Sequence, residues 1–263
     1  MTSDDPGQIR DTDLDEDTDA GVQPAPPPVA EAAYGLYVHL PFCVSICPYC
    51  DFVVFAGSDA RGSRNRIDVL VDALIVEIGL RAAAEPADPA RRPLSTVYLG
   101  GGTPSLVPAA ALERILGAIR TSYGIAPDAE ITLEANPGPD ERGDPVAQVA
   151  LGINRLSLGA QSFATGELKR LGRRHSASDI GVALIAAREA GIGSINLDLL
   201  YDVPGQTLGS WADGLERAVA LAPEHLSLRP DPRRPGGRGP DRAGWRPPGT
   251  ERRRPPLARP GPA

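Results

Sequence analysis

The chain has 263 residues, enough for one barrel-sized domain or two small ones. Its formal net charge of −7 argues against a nucleic-acid binder, and no apolar run approaches the roughly 18 residues that a membrane helix needs. No secretory signal is visible, so the sequence reads as a cytoplasmic protein with reduced thiols.

Residues 1–33 carry nine acids against Arg10 alone, followed by Pro24, Pro26, Pro27 and Pro28. With almost nothing to bury they are expected to form a disordered leader. Gly35–Leu40 then reads as a strand. It runs into Phe42-Cys43-Val-Ser-Ile-Cys47-Pro48-Tyr49-Cys50-Asp51-Phe52, which holds the chain's only three cysteines at C-x3-C-x2-C spacing. Pro41 and Pro48 keep the run out of a helix and place the thiols on an irregular loop. Three thiolates on one loop suit an iron–sulfur cubane with one iron left open for a small chelating molecule. A closed zinc site with His39 as fourth ligand stays an alternative, as do free or redox-active thiols. The odd count disfavours a disulfide framework.

Ile67, Leu70, Val71, Leu74, Ile75 and Ile78 recur at helical spacing up to about Ala84. Ser95–Leu99 is the second strand, broken by Gly100-Gly101-Gly102-Thr103-Pro104. Glycines there let backbone approach a ligand, and the loop's amides and carbonyls are expected to be free for it. Pro108 opens a helix with Leu112, Ile115, Leu116 and Ile119 facing inward. Glu130–Asn136 is the third strand, in which Glu134 is a carboxylate among apolar neighbours. Spacing leaves two roles open for it: an internal ion pair with an arginine, or contact with a ligand.

A weak helix near Val146–Leu151 precedes the fourth strand, Arg155–Gln161. Leu171-Gly172-Arg173-Arg174-His175 offers a planar cation for a carboxylate, and His175 either carries a proton or caps a loop. A helix from Ser178 to Ala190 stops at Gly191. Strand five is Ser194–Leu200, interrupted by Asp198. Thr207 caps a helix carrying Leu208, Trp211, Leu215 and Val219, and His225–Leu228 begins strand six. Such alternation means α/β, with parallel strands joined by helical crossovers.

The expected division is a leader over 1–33, a core over 34–228 and a disordered basic tail over 229–263. The last stretch holds ten arginines and ten prolines and no Ile, Val, Phe, Tyr, Lys or Ser. Arg, Pro, Gly and Ala are what GC-rich codons yield out of frame, so a coding frameshift after about residue 228 is the favoured reading. A basic RGG-like tail is the alternative.

The cysteine spacing after a first strand resembles the radical S-adenosylmethionine (SAM) superfamily. The flanks Tyr37-x-His39-x-Pro41-Phe42-Cys43 and Cys47-Pro48-Tyr49-Cys50-Asp51-Phe52 are similar to its oxygen-independent coproporphyrinogen III oxidase branch, and within that to the HemW heme-chaperone family. The segments around Gly101, Glu134, Asn154–Phe163, Arg173 and Asn196–Thr207 match in order, across residues 34–228. The resemblance implies an open (β/α)6 partial barrel and a 4Fe-4S cluster on Cys43, Cys47 and Cys50. It implies SAM on the open iron, cleaved to a 5′-deoxyadenosyl radical. Tyr37, Tyr49, Gly101, Gly102, Thr103, Glu134, Gln161, Arg173 and Asp198 inherit the SAM contacts, with the glycine loop at the amino end and Asp198 near the ribose. The implied partners are heme or a porphyrinogen, hemoprotein acceptors, and a reductant such as flavodoxin or ferredoxin. The branch's oxidases carry a further cysteine two positions after the third, where this chain has Phe52, which favours heme trafficking over radical decarboxylation. The family's heme-contacting motif lies in a C-terminal part that the resemblance does not reach, so a disabled fragment stays open as a third reading. Asp202 stands where the family usually has glycine.

Overall fold

The computed structural model describes residues 34–57, 66–84 and 92–233. The leader over 1–33 and residues 234–263 of the expected tail over 229–263 lie outside the described residues, whereas residues 229–233 are described and Arg229 and Pro230 belong to the last strand. The elements follow in chain order: β1 (Gly35–Leu40), β2 (Phe42–Cys43), β3 (Phe55–Ala56), α1 (Arg66–Ala84), β4 (Leu94–Gly101) and a 3-10 turn over Pro104–Leu106. Then come α2 (Ala109–Ser122), β5 (Ile125–Ala135), α3 (Pro145–Ala150), β6 (Arg155–Gln161) and α4 (Thr165–Arg170). Last are α5 (Ala177–Ala190), β7 (Ser194–Tyr201), α6 (Leu208–Ala220) and β8 (His225–Pro230).

Six strands form one sheet in the order β1-β4-β5-β6-β7-β8, and every neighbouring pair is parallel. Among the described residues β1 and β8 are its edges, so the α/β sheet is an open partial barrel. The short β2 and β3 pair separately and close the base of the cysteine loop.

Period-two alternation along the strands separates two faces. Val97, Leu99, Ile131, Leu133, Leu156, Leu158, Ile195 and Leu197 are buried on the side that packs against Ile115, Leu116 and Ile119 of α2 and Ile180 and Leu184 of α5. Each such side chain contributes about 1.5–3 kcal/mol on leaving water. The opposite face carries Tyr98, Thr132, Glu134, Ser157, Gly159, Asn196, Asp198 and Ser227. Parallel strands are ordinarily apolar on both faces, so a polar concave side marks the face kept for a ligand.

Caps fix the helix ends. Ser176 and Asp179 form a capping box that starts α5 one residue earlier than the apolar spacing suggests, and Gly191 ends it at φ 103°. Thr207 caps α6 reciprocally with Ser210. The last strand runs through Arg229 and Pro230, paired with Leu200 and Tyr201. Beyond it the Asp231 amide donates to the Tyr201 carbonyl at 2.7 Å, and its fully buried carboxylate takes Arg233 Nη2 at 2.6 Å. No described helix is long and apolar enough to cross a membrane.

Candidate functional site

The strands' C-terminal ends and the loops after them surround a cleft of about 620 Å³. Eleven of the twelve residues singled out in the sequence line it: Cys43, Cys47, Cys50, Tyr49, Gly101, Gly102, Thr103, Glu134, Gln161, Arg173 and Asp198. Tyr37 does not. Its ring stacks on Tyr98 with centroids 5.9 Å apart, and its hydroxyl bonds His39 Nδ1 at 2.9 Å. The other ring nitrogen of His39 meets the Val53 carbonyl at 2.9 Å. Both nitrogens are engaged, so His39 is not placed to complete a zinc site and instead ties β1 to the far end of the cysteine loop. Among the described residues no three His, Cys, Asp or Glu side chains are gathered as a ready site for a single metal ion.

None of the three cysteines is in a disulfide, and each is half-buried. Burial pushes the Cys43 thiol up to about 11, assisted by Cys50, Cys47 and Glu141, while a hydrogen bond from Thr103 Oγ1 at 3.6 Å acts against the rise. A Cys43 anion disfavoured by burial calls for a cationic centre to hold it.

Glycines at 101 and 102 serve approach rather than donation, which corrects the expectation of free amides. The amides of Gly101, Gly102 and Thr103 go to Glu134 Oε2 at 2.9 Å, the Leu40 carbonyl at 2.9 Å and the Phe42 carbonyl at 2.7 Å. A Cβ at Gly102 would lie 2.6 Å from the Phe42 carbonyl oxygen, and one at Gly101, where φ is 119°, 2.6 Å from His39 Cε1. The loop therefore packs directly on the start of the cysteine loop and commits its donors there.

Glu134 has no arginine partner among the described ion pairs; Tyr98 Oη donates to its Oε1 at 2.8 Å and the Gly101 amide to Oε2. Asp198 likewise has neutral partners, Ser157 Oγ at 2.9 Å and Asn196 Nδ2 at 2.9 Å, and Ser227 Oγ steadies Asn196 at 3.0 Å. Two carboxylates held only by neutral donors leave room for positive charge in a ligand.

Arg173, not its neighbour Arg174, is the arginine built into the floor. Its guanidinium donates to Asn136 Oδ1, to the Gly159 carbonyl at 2.7 Å, to Tyr49 Oη at 3.3 Å and to Cys47 Sγ at 3.7 Å. Burial works against its charge, but Tyr49, Cys47 and Glu141 outweigh that and raise its pKa. Its Nε is buried without a partner. Gly159 makes the space, because a Cβ there would come within 3.0 Å of Arg173, Asn136 and Gln161. Gln161 ends β6 at φ 65°, a left-handed conformation that a non-glycine adopts under constraint. Asp202 has φ 58°, a left-handed conformation that glycine adopts at less cost.

Asn136, Glu141, Ser157, Asn196 and Arg229 also line the cleft although sequence reasoning did not single them out. Ser157 and Asn196 were legible in principle, since each alternates with buried leucine or isoleucine on its strand. Glu141 sits on an irregular loop and left no such signal.

A parallel open sheet with a three-cysteine loop at its carboxyl edge, two acids and a floor arginine defines the class. The Radical SAM superfamily model matches residues 37–218, and the chain belongs to that superfamily. Membership implies a 4Fe-4S cluster and SAM. The donors fit both: three thiols on one loop, two carboxylates without cations, and an arginine whose Nε has no partner.

More particularly, the chain is 40% identical over 192 residues to the heme chaperone HemW of Escherichia coli, covering 73% of this chain and 49% of that protein. It is also 40% identical over 193 residues to HemW of Synechocystis, covering 73% and 45%. The chain thus spans about half the length of these curated relatives. Among solved structures, coproporphyrinogen III oxidase (HemN) from Escherichia coli, a radical SAM enzyme, superposes with a TM-score of 0.67 at 34% identity, covering 76% of this chain and 44% of that one.

Proposed function

We propose that this chain holds a 4Fe-4S cluster on Cys43, Cys47 and Cys50, binds SAM across the cleft, and serves heme trafficking in the manner of the HemW chaperones. The observation that carries the reading is the 40% identity to HemW over the stretch that builds the cleft. The pattern Cys50-Asp51-Phe52, without a fourth cysteine, agrees with it. In this reading Glu134 takes the ligand's ammonium, Arg173 its carboxylate and Asp198 its ribose hydroxyls. The glycine loop and Tyr49 wall the site and exclude water. When bound, the cluster supplies the electron that opens the sulfonium carbon–sulfur bond. A flavodoxin- or ferredoxin-like reductant, hemoprotein acceptors and a cytoplasmic site belong to the same proposal, as does heme as cargo.

Anaerobic reconstitution of the full chain tests the core of it. About four irons and four sulfides per chain are expected, lost in Cys47→Ala. Tightly held zinc in place of iron and sulfide would overturn the assignment. Heme titration should give a Soret shift, and its absence removes the chaperone role from this polypeptide.

The likeness to HemN favours a second reading, radical oxidative decarboxylation of coproporphyrinogen III. Anaerobic incubation with coproporphyrinogen III separates the two: formation of protoporphyrinogen would replace the chaperone reading with the oxidase.

A further inference from the structure

Among the described residues, the cleft carboxylates Glu134 and Asp198 lack cationic partners, and one tyrosine hydroxyl lies between their hydrogen-bond shells. Tyr98 Oη donates to Glu134 Oε1 at 2.8 Å, while the Gly101 amide donates to Oε2 at 2.9 Å. Bonds on both oxygens fix the plane of the carboxylate and leave each with a lone pair for a ligand. Tyr98 also neighbours Ser157, which donates to Asp198 Oδ2 at 2.9 Å. The Tyr98 ring is braced from behind by Tyr37, stacked at 5.9 Å and 27°.

We propose that Tyr98 is a positioning residue of the cofactor site, fixing Glu134 so that its free lone pairs face the ligand's ammonium group. The inference rests on the SAM reading above but goes beyond it, because it gives the orientation of the acid that meets the ammonium to a residue outside the cysteine, glycine-loop and acidic signatures. Tyr98 acts through Glu134. Burial, together with the Glu134 charge, raises the phenol's pKa, so the hydroxyl remains a donor at any working pH.

The test uses the full chain with its cluster reconstituted anaerobically, and two probes: SAM, and 5′-methylthioadenosine, which keeps the adenosyl part but lacks the amino-acid end. Tyr98→Phe keeps the ring and its stack and removes only the hydroxyl. SAM should bind roughly tenfold more weakly, methylthioadenosine unchanged, with iron content equal to the parent. In a Glu134→Gln background the same substitution should add no further loss of SAM affinity. Unchanged SAM binding in Tyr98→Phe overturns the proposal, and so does an equal loss for both probes, which would mark a structural role. If the parent chain binds its cluster but neither probe, the SAM reading itself falls, a result distinct from either of those.

Discussion

His175 sits behind the cleft, in contact with its floor but not with its interior. The ring is buried, its Nε2 hydrogen-bonds the Ala160 carbonyl at 3.1 Å, and its Nδ1 has no partner. Burial, then the nearby Arg173 charge, pushes its pKa down to about 4. A proton carrier at neutral pH needs a pKa near the working pH, so His175 braces a loop and does not shuttle protons. The depressed value has a consequence for stability. An unfolded histidine titrates near ~6.5, so between that value and about 4 the unfolded chain binds the proton and the folded chain does not. Stability is fully present above this window and falls through it as pH drops, by up to about 3 kcal/mol. Asp179, whose pKa is lowered by its hydrogen bonds to Ser176, loses its share at lower pH still. Urea titrations from pH 7 to 4 should show the decline in the parent and a flatter profile in His175→Gln. Equal slopes in the two would refute the assignment.

At the scale of elements, two glycines make opposite predictions. Gly101→Ala puts a methyl 2.6 Å from the His39 ring at a backbone φ of 119°, so it should destabilise by about 2–4 kcal/mol and lower cluster loading. Gly79→Ala lies within α1 with nothing near the added carbon, so it should raise stability by roughly 0.5–1 kcal/mol. Thermal melts and iron content check both. The same elements show what the sequence could disclose. The six parallel strands were legible because buried leucines and isoleucines alternate with polar residues, and α2 because its apolar stripe keeps a 3.6 period. The helix α4 was not, since Thr165–Arg170 is under two turns, contains Gly166 and buries only Glu167 and Leu168. Its Glu167 turns inward to Ser162, Gln206 and Ser210, partners whose convergence depends on tertiary folding. The two-residue strands β2 and β3 left no period at all. Within the site, the cysteines, Glu134 and Asp198 stood out by type against their surroundings. Tyr98 did not, because an aromatic residue in a strand reads as packing until its hydroxyl's partner is seen. The expected free amides of the glycine loop failed for a related reason: spacing reveals where backbone is exposed, not which neighbour already takes its donors.

For the whole molecule, the cleft joins pieces that the core holds together only indirectly. The cysteine loop is pinned by the short β2–β3 pair, by His39 to the Val53 carbonyl and by Arg173 reaching Cys47 and Tyr49 from the α4–α5 connection. A cluster and SAM bridging that loop to β4, β5 and β7 would add links across the open side of the sheet. Binding to the folded state alone stabilises it by about 2.7 kcal/mol at a ligand concentration of 100 Kd. In a domain of this size that should raise Tm by roughly 5–10 °C. The reconstituted chain with saturating SAM is therefore expected to melt at least that far above the reconstituted chain alone, with protease cleavage in the segment 43–54 slowed in parallel. Arg173→Lys loses the planar fork shared by Asn136, Gly159 and Tyr49, so most of the SAM-dependent shift should vanish in it while the cluster remains. A shift of equal size in Arg173→Lys would place SAM elsewhere than over this floor, and no shift in the parent would mean that the cleft does not take it.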